Sequence, residues 1–187
     1  MKKPYCLQIR IALTCFLLAN TLYVFGQDSL QNKFTDISKI SFEQRLENTI
    51  SSTYIAKNTD LKTIFPSLHF TQGLKHKGPI PNEFVTRKIV LKFNVCNTSD
   101  SAEAVYFFPG FYFQDIHFYR VHGGGLKKIP VILPPIADSL GYRLLTLPIG
   151  DSVTFIAELS FVKTYNNVVK PRLINKDYLT AFIAQIR

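Results

Sequence analysis

Two stretches of this chain alternate apolar and polar side chains at every second position, and that period admits few folds. In residues 87–95, Ile89, Leu91, Phe93 and Val95 share one side, while Lys88, Lys92 and Asn94 share the other. In residues 152–160, Val153, Phe155, Ala157 and Leu159 are set against Thr154, Glu158 and Ser160. A helix returns to the same face every 3.6 residues and a strand every second one, so both stretches read as strands with an apolar set turned inward. Further strands are expected over 104–108, 115–121, 126–133 (cut by Pro130), 142–147 and 168–174, with short ones near 53–56 and 68–71. Asn97-Thr98-Ser99-Asp100, Pro109-Gly110, Gly123-Gly124-Gly125, Pro134-Pro135 and Gly150-Asp151 supply the turns and breaks. Many short strands with few helices predict an all-β fold, a jelly-roll-like antiparallel β-sandwich. No repeat of 20–50 residues points to a solenoid or propeller.

Helical signals are confined to the flanks. Ser41 followed by Gln44 has the form of a capping box, and Phe42, Leu46 and Ile50 fall on one helical stripe, so a short N-terminal helix is expected over 41–52. Residues 175–187 are expected to end the chain as a short helix. The expected organisation is a leader over 1–27, a lead-in over 28–86 that starts loosely, a sandwich core over 87–178 and a tail over 179–187.

The leader follows from Lys2, Lys3 and Arg10, then an apolar run over 11–25, then Gly26-Gln27. This is the layout of a secretory signal peptide, and the run is shorter than the roughly 20 residues of a membrane-spanning helix. The expected location is periplasmic or otherwise extracytoplasmic, with no membrane span after cleavage. Cys6 and Cys15 lie in the leader, and Thr14 before Cys15 is a poor lipid-attachment context. Cys96 remains, expected as a small buried hydrophobe, so the mature chain has no internal disulfide and must rest on burial. Three of the nine excess positive charges belong to the leader, leaving +6. The remaining cations are scattered and carry no interleaved stacking aromatics, which argues against nucleic acid.

Catalytic signatures are missing. There is no phosphate-binding loop and no nucleophile elbow, and Gly123-Gly124-Gly125 reads as a hairpin loop. His117 and His122 match no metal-ligand spacing, so no metal or cofactor is expected. Asp115, Asp138, Asp151 and Glu158 fall mostly in expected turns or on solvent faces rather than facing each other across a cleft, so no catalytic residue is assigned. The candidate ligand-binding residues are Tyr112, Asp115, His117 and Tyr119: the polar face of the strand over 115–121, beside Phe111-Tyr112-Phe113. Aromatic faces with hydrogen-bonding neighbours suit sugar rings and other amphipathic small molecules. The alternative reading makes Phe111 and Phe113 core and leaves Asp115, His117 and Tyr119 merely solvated.

Three passages carry a family likeness: "VLKFNVCNTSDSAEAVYFF", "FPGFYFQDIHFYRVHGGG" and "YRLLTLPIGDSVTFIAELS". In order and spacing, residues 87–178 resemble the type-2 extracellular domain of bacterial seven-transmembrane receptors with diverse intracellular signalling modules. The chain departs from that pattern in having no Trp, and in Gln114 where an acidic residue is common. The resemblance implies a jelly-roll-like sensory domain with a small-molecule or glycan ligand, serving signal transduction. Such a domain precedes seven membrane helices, and the chain ends near where the first would begin, so a shortened receptor and a free binder both stay open. The competing expectation is an adhesin-like or interaction module with an envelope protein as partner.

Overall fold

A computed structural model describes residues 34–132, 134, 141–162, 164 and 166–186. The leader over 1–27 and Asp138 lie outside them. Among the described residues, eleven strands form two sheets packed face to face. The larger sheet has β3 (Ser51–Ala56), β4 (Thr71–Gln72), β5 (Arg87–Cys96), β7 (Phe113–His122), β8 (Gly125–Lys128) and β10 (Ser152–Phe161) in the order β4-β3-β5-β10-β7-β8. β1 (Phe34–Asp36) pairs in parallel with Asn94–Cys96, continuing the side of β5 that β3 occupies over Arg87–Lys92. The smaller sheet has β2 (Glu43–Arg45), β6 (Glu103–Phe111), β9 (Arg143–Leu147) and β11 (Val168–Asn175) in the order β2-β11-β6-β9. The all-β sandwich expectation holds. Among the described residues, no helix is long and apolar enough to cross a membrane.

The inward sets named from the alternation meet between the sheets. Phe93 of β5 stacks on Phe107 of β6 with centroids 5.2 Å apart, and Phe118 of β7 meets the Phe107 ring edge-on at 4.8 Å. Leu91, Val95, Phe155, Leu159, Val105, Leu145 and Leu173 complete this core. Burial does not stop there. Helix α1 (Leu61–Ile64) and the 3-10 turn after it cover the outer face of the larger sheet, packing Leu61, Phe65 and Leu68 on Val90, Tyr119 and Ile156. Helix α2 (Asn82–Val85) leads into β5. Helix α3 (Leu179–Ile186) lays Leu179, Phe182 and Ile183 on Phe108, Tyr142 and Ile174, outside the smaller sheet. β5 and β10 break their alternation at Val90 and Ile156, apolar residues on the outer side that α1 covers, as expected of central strands buried on both faces.

The structure corrects several local expectations. Residues 41–52 are not a helix: they form β2, a tight turn in which Thr49 and Ile50 donate to Leu46 O, and the start of β3. The helical stripe is divided between two cores. Leu46 and Ile50 are buried between the sheets, while Phe42 packs on Phe182 and Tyr178 outside them. Gln44 donates to Arg45 O instead of closing a capping box. Residues 34–40 are not loose, because β1 is paired and Ile37 and Ile40 are buried. The expected strand over 68–71 is reduced to β4, and β8 stops before Pro130. Cys96 is half-buried at the end of β5. Pro109-Gly110 does not end β6, which runs on to Phe111. The register steps from Gly110↔Val169 to Phe108↔Arg172, so Pro109 faces a bulge holding Lys170 and Pro171. Two residues without an N–H are thus placed where no ladder bond is due.

Two polar devices fix the ends of the strands. Asn97, buried in the turn after β5, donates through Nδ2 to Ser101 O, Leu147 O and Pro148 O at 2.7, 3.2 and 3.1 Å, joining two hairpin ends. Asp36 accepts from the Ser38 hydroxyl at 2.7 Å, from Thr98 Oγ1 and from the Thr98 amide, and its carboxylate lies 3.1 Å from Lys39 Nζ. Burial alone would raise this carboxyl, but the hydroxyl bonds, Lys39 and the Thr98 amide together outweigh it and hold it well below the usual range. A carboxyl depressed in the folded state stabilises the protein at pH above its unfolded value of about 3.9 and loses that contribution as pH falls further. This contribution to the melting temperature is therefore expected to fall away as pH drops below about 4. Asp36→Asn should be less stable at pH 6, with the two curves converging toward pH 2 in a melting series across that range.

Candidate functional site

The chain passes from the smaller sheet to the larger one through a single residue. β6 ends at Phe111, β7 begins at Phe113, and Tyr112 between them has φ +66°. This is the left-handed region, which a non-glycine residue enters at a cost of about 1–2 kcal/mol. Val162 N donates to Tyr112 O at 2.9 Å and helps to hold the corner. Phe111 turns to Phe108 on the outer cluster (5.3 Å, edge-on), and Phe113 turns to Phe161 in the main core (5.4 Å). Tyr112 stays 52% exposed.

A cleft of about 420 Å³ opens at this corner. The segment Phe111 to Phe113 and Val162 form one side, Ile183 and Ile186 of α3 another, and Tyr142 stands just before β9. Tyr142 is stacked on Phe108 at 5.0 Å, and Phe182 meets Phe108 edge-on at 5.6 Å, so the aromatic floor is fixed by packing. Gly110 and Gly141 bring backbone without side chains to the cleft. Among the described residues, its lining carries no Asp, Glu, Lys, Arg or His. A second, polar cleft of about 410 Å³ lies beside Arg45, Lys77 and Lys170, with Arg45 Nε 3.5 Å from Glu43.

The four sequence candidates do not form one site. Tyr112 is in the apolar cleft, whereas Asp115, His117 and Tyr119 project from the opposite, outer face of β7. There His117 and Tyr119 converge on Glu158 of β10. Tyr119 donates to Glu158 Oε2 at 2.8 Å, and His117 Nδ1 lies 3.6 Å from the same oxygen. Lys88 Nζ donates to Glu158 Oε1 at 2.8 Å and to Thr59 O at 3.0 Å, which ties the covering segment to the sheet. Glu158 is only 5% exposed, so it is not on a solvent face. Burial first, then the Glu158 hydrogen bond and charge, push the Tyr119 phenol above its ordinary value. Asp115 is exposed beside this cluster. Of the carboxylates among the described residues, Asp151 is held by Arg120 at 2.6 Å at the far end of β7 from Asp115, and Glu158 is enclosed. No group of three or more His, Cys, Asp or Glu suited to a metal occurs among the described residues.

Sequence reasoning singled out the aromatic corner but missed Tyr142, Ile183 and Ile186 as its partners. The apolar Phe182, Ile183 and Ile186 of the expected terminal helix were the available signal, since an amphipathic helix must lie on something. Lys88 and Glu158 were missed as partners because each was read as part of a solvated face. No protein-family model matches this chain, and no curated protein matches it.

Proposed function

We propose that this chain is an extracytoplasmic ligand-binding domain of the sensory type, exported by the leader over 1–27, which binds a small molecule or glycan in the cleft at Tyr112 and does not catalyse. The carrying observation is the cleft itself, with a half-exposed aromatic residue at its mouth in a backbone conformation that glycine would adopt without cost. Tyrosine enters this conformation at a steric cost and there presents its ring at the cleft mouth. The likeness of 87–178 to sensory extracellular domains supports the same reading. The competing interaction-module reading gains little support from the sheet edges. β4 has two residues, β2 is Glu43-Gln44-Arg45 and β8 carries Lys127 and Lys128, all features that discourage strand addition, and along the edge strand β9 Leu144 N already donates to Ile132 O at 3.3 Å.

Tyr112→Gly separates contact from folding. Relief of the left-handed cost is offset by the greater backbone entropy of glycine, so stability is expected to change by less than about 1 kcal/mol. A ligand found by thermal screening of glycans and small metabolites should raise the wild-type melting temperature by about 5–10 °C near 100 times its Kd, and the variant's much less. An equal shift in both proteins would move the site elsewhere. A panel without any shift would remove the reading.

A further inference from the structure

We infer that the ligand of this cleft is uncharged and largely apolar, a molecule with a ring or acyl segment, and not a sugar. This rests on the cleft being the binding site and narrows what it takes. Among the described lining residues, those with a polar side-chain atom are Tyr112 and Tyr142. A sugar ring presents several hydroxyls, and those that find no partner in a binding site weaken binding steeply. Sites that recognise sugars supply side-chain amide, carboxylate or guanidinium partners, and none of these is among the described lining residues. A charged ligand group would also lie against rings and isoleucines without a counter-charge. Apolar surface, in contrast, is matched on both walls: Phe111 and Phe113 at the corner, Ile183 and Ile186 on α3. The volume is that of a small-molecule site, and the rings are held by mutual packing, so little reorganisation is needed to receive a planar or chain-like guest.

N-phenyl-1-naphthylamine is a neutral apolar probe whose fluorescence rises on leaving water, and the chain has no Trp to interfere. Titrated into the purified protein, it should bind saturably at one site and be displaced by 1-decanol but not by neutral oligosaccharides. Ile186→Arg and Val162→Arg each set a cation at the cleft from a partly exposed position, and each should weaken the probe at least tenfold. Lys77→Ala, in the polar cleft, should leave it unchanged. Equal affinity in wild type and both arginine variants would overturn the inference. So would the absence of saturable probe binding while an oligosaccharide raises the melting temperature of wild type but not of Tyr112→Gly, an outcome that leaves the binding reading standing. If neither probe, alkanol nor oligosaccharide binds, both fall together.

Discussion

Gly110→Ala is expected to destabilise the domain by at least about 3 kcal/mol. Gly110 has φ +121°, a conformation L side chains rarely adopt, and it faces β11 at the bulge. A Cβ built there would lie 2.1 Å from Val168 O and 2.7 Å from Lys170 N. Both obstacles are backbone and cannot rotate aside, so relief requires β6 and β11 to separate. That separation would also open the floor of the cleft, since Phe108 and Phe111 flank Gly110 and carry its aromatic packing. In urea the midpoint should fall by more than about 1 M at unchanged slope. Gly124→Ala is the matched control: φ is +78°, but nothing lies within 4 Å of the added Cβ, so backbone strain of about 1 kcal/mol is all it should lose. Near-equal losses for the two variants would mean that the strands do not approach at the bulge as described.

The legible parts of the fold were those where one local rule decided. Alternation identified β5 and β10 and the inward residues it named, because one face of each strand packs between the sheets. Local rules failed where a second layer intervened. Residues 41–52 satisfy both a helical stripe and a strand-turn-strand path, and the choice is made by β11, whose Pro171 O accepts from Leu46 N. Pro109-Gly110 reads as a stop until the partner strand is seen to bulge opposite it. Glu158 and Tyr119 look solvated until α1, in a segment rich in breakers, is laid over them. The corner at Phe111-Tyr112-Phe113 was conspicuous as three aromatics in a row. That the chain changes sheets there, with α3 forming the opposite wall, depends on contacts between residues some seventy positions apart, which no periodicity reports.

Glu158→Ala should cost about 3–5 kcal/mol, the loss typical of breaking a buried ion pair from one side. Lys88 would keep its bond to Thr59 O but lose its counter-charge in a largely enclosed position, and the buried Tyr119 hydroxyl would lose its acceptor. Glu158→Gln should cost less, because an amide oxygen still accepts from Tyr119 or Lys88. The informative variant is the double replacement Lys88→Met with Glu158→Leu. If the cluster mainly satisfies its own members, removing both charges together should recover the part of the Glu158→Ala loss that comes from the unpaired Lys88, though not the lost acceptor of Tyr119, since an apolar pair of similar volume suits the neighbouring Val90 and Ile156. If instead the cluster fixes the covering segment over the sheet through Thr59, the double variant should regain stability while amide exchange around 57–70 stays accelerated. Urea midpoints for the three variants, with exchange rates over α1, separate these outcomes. A Glu158→Ala variant within about 1 kcal/mol of wild type would show that Glu158 does not hold Lys88 and Tyr119 in the folded protein.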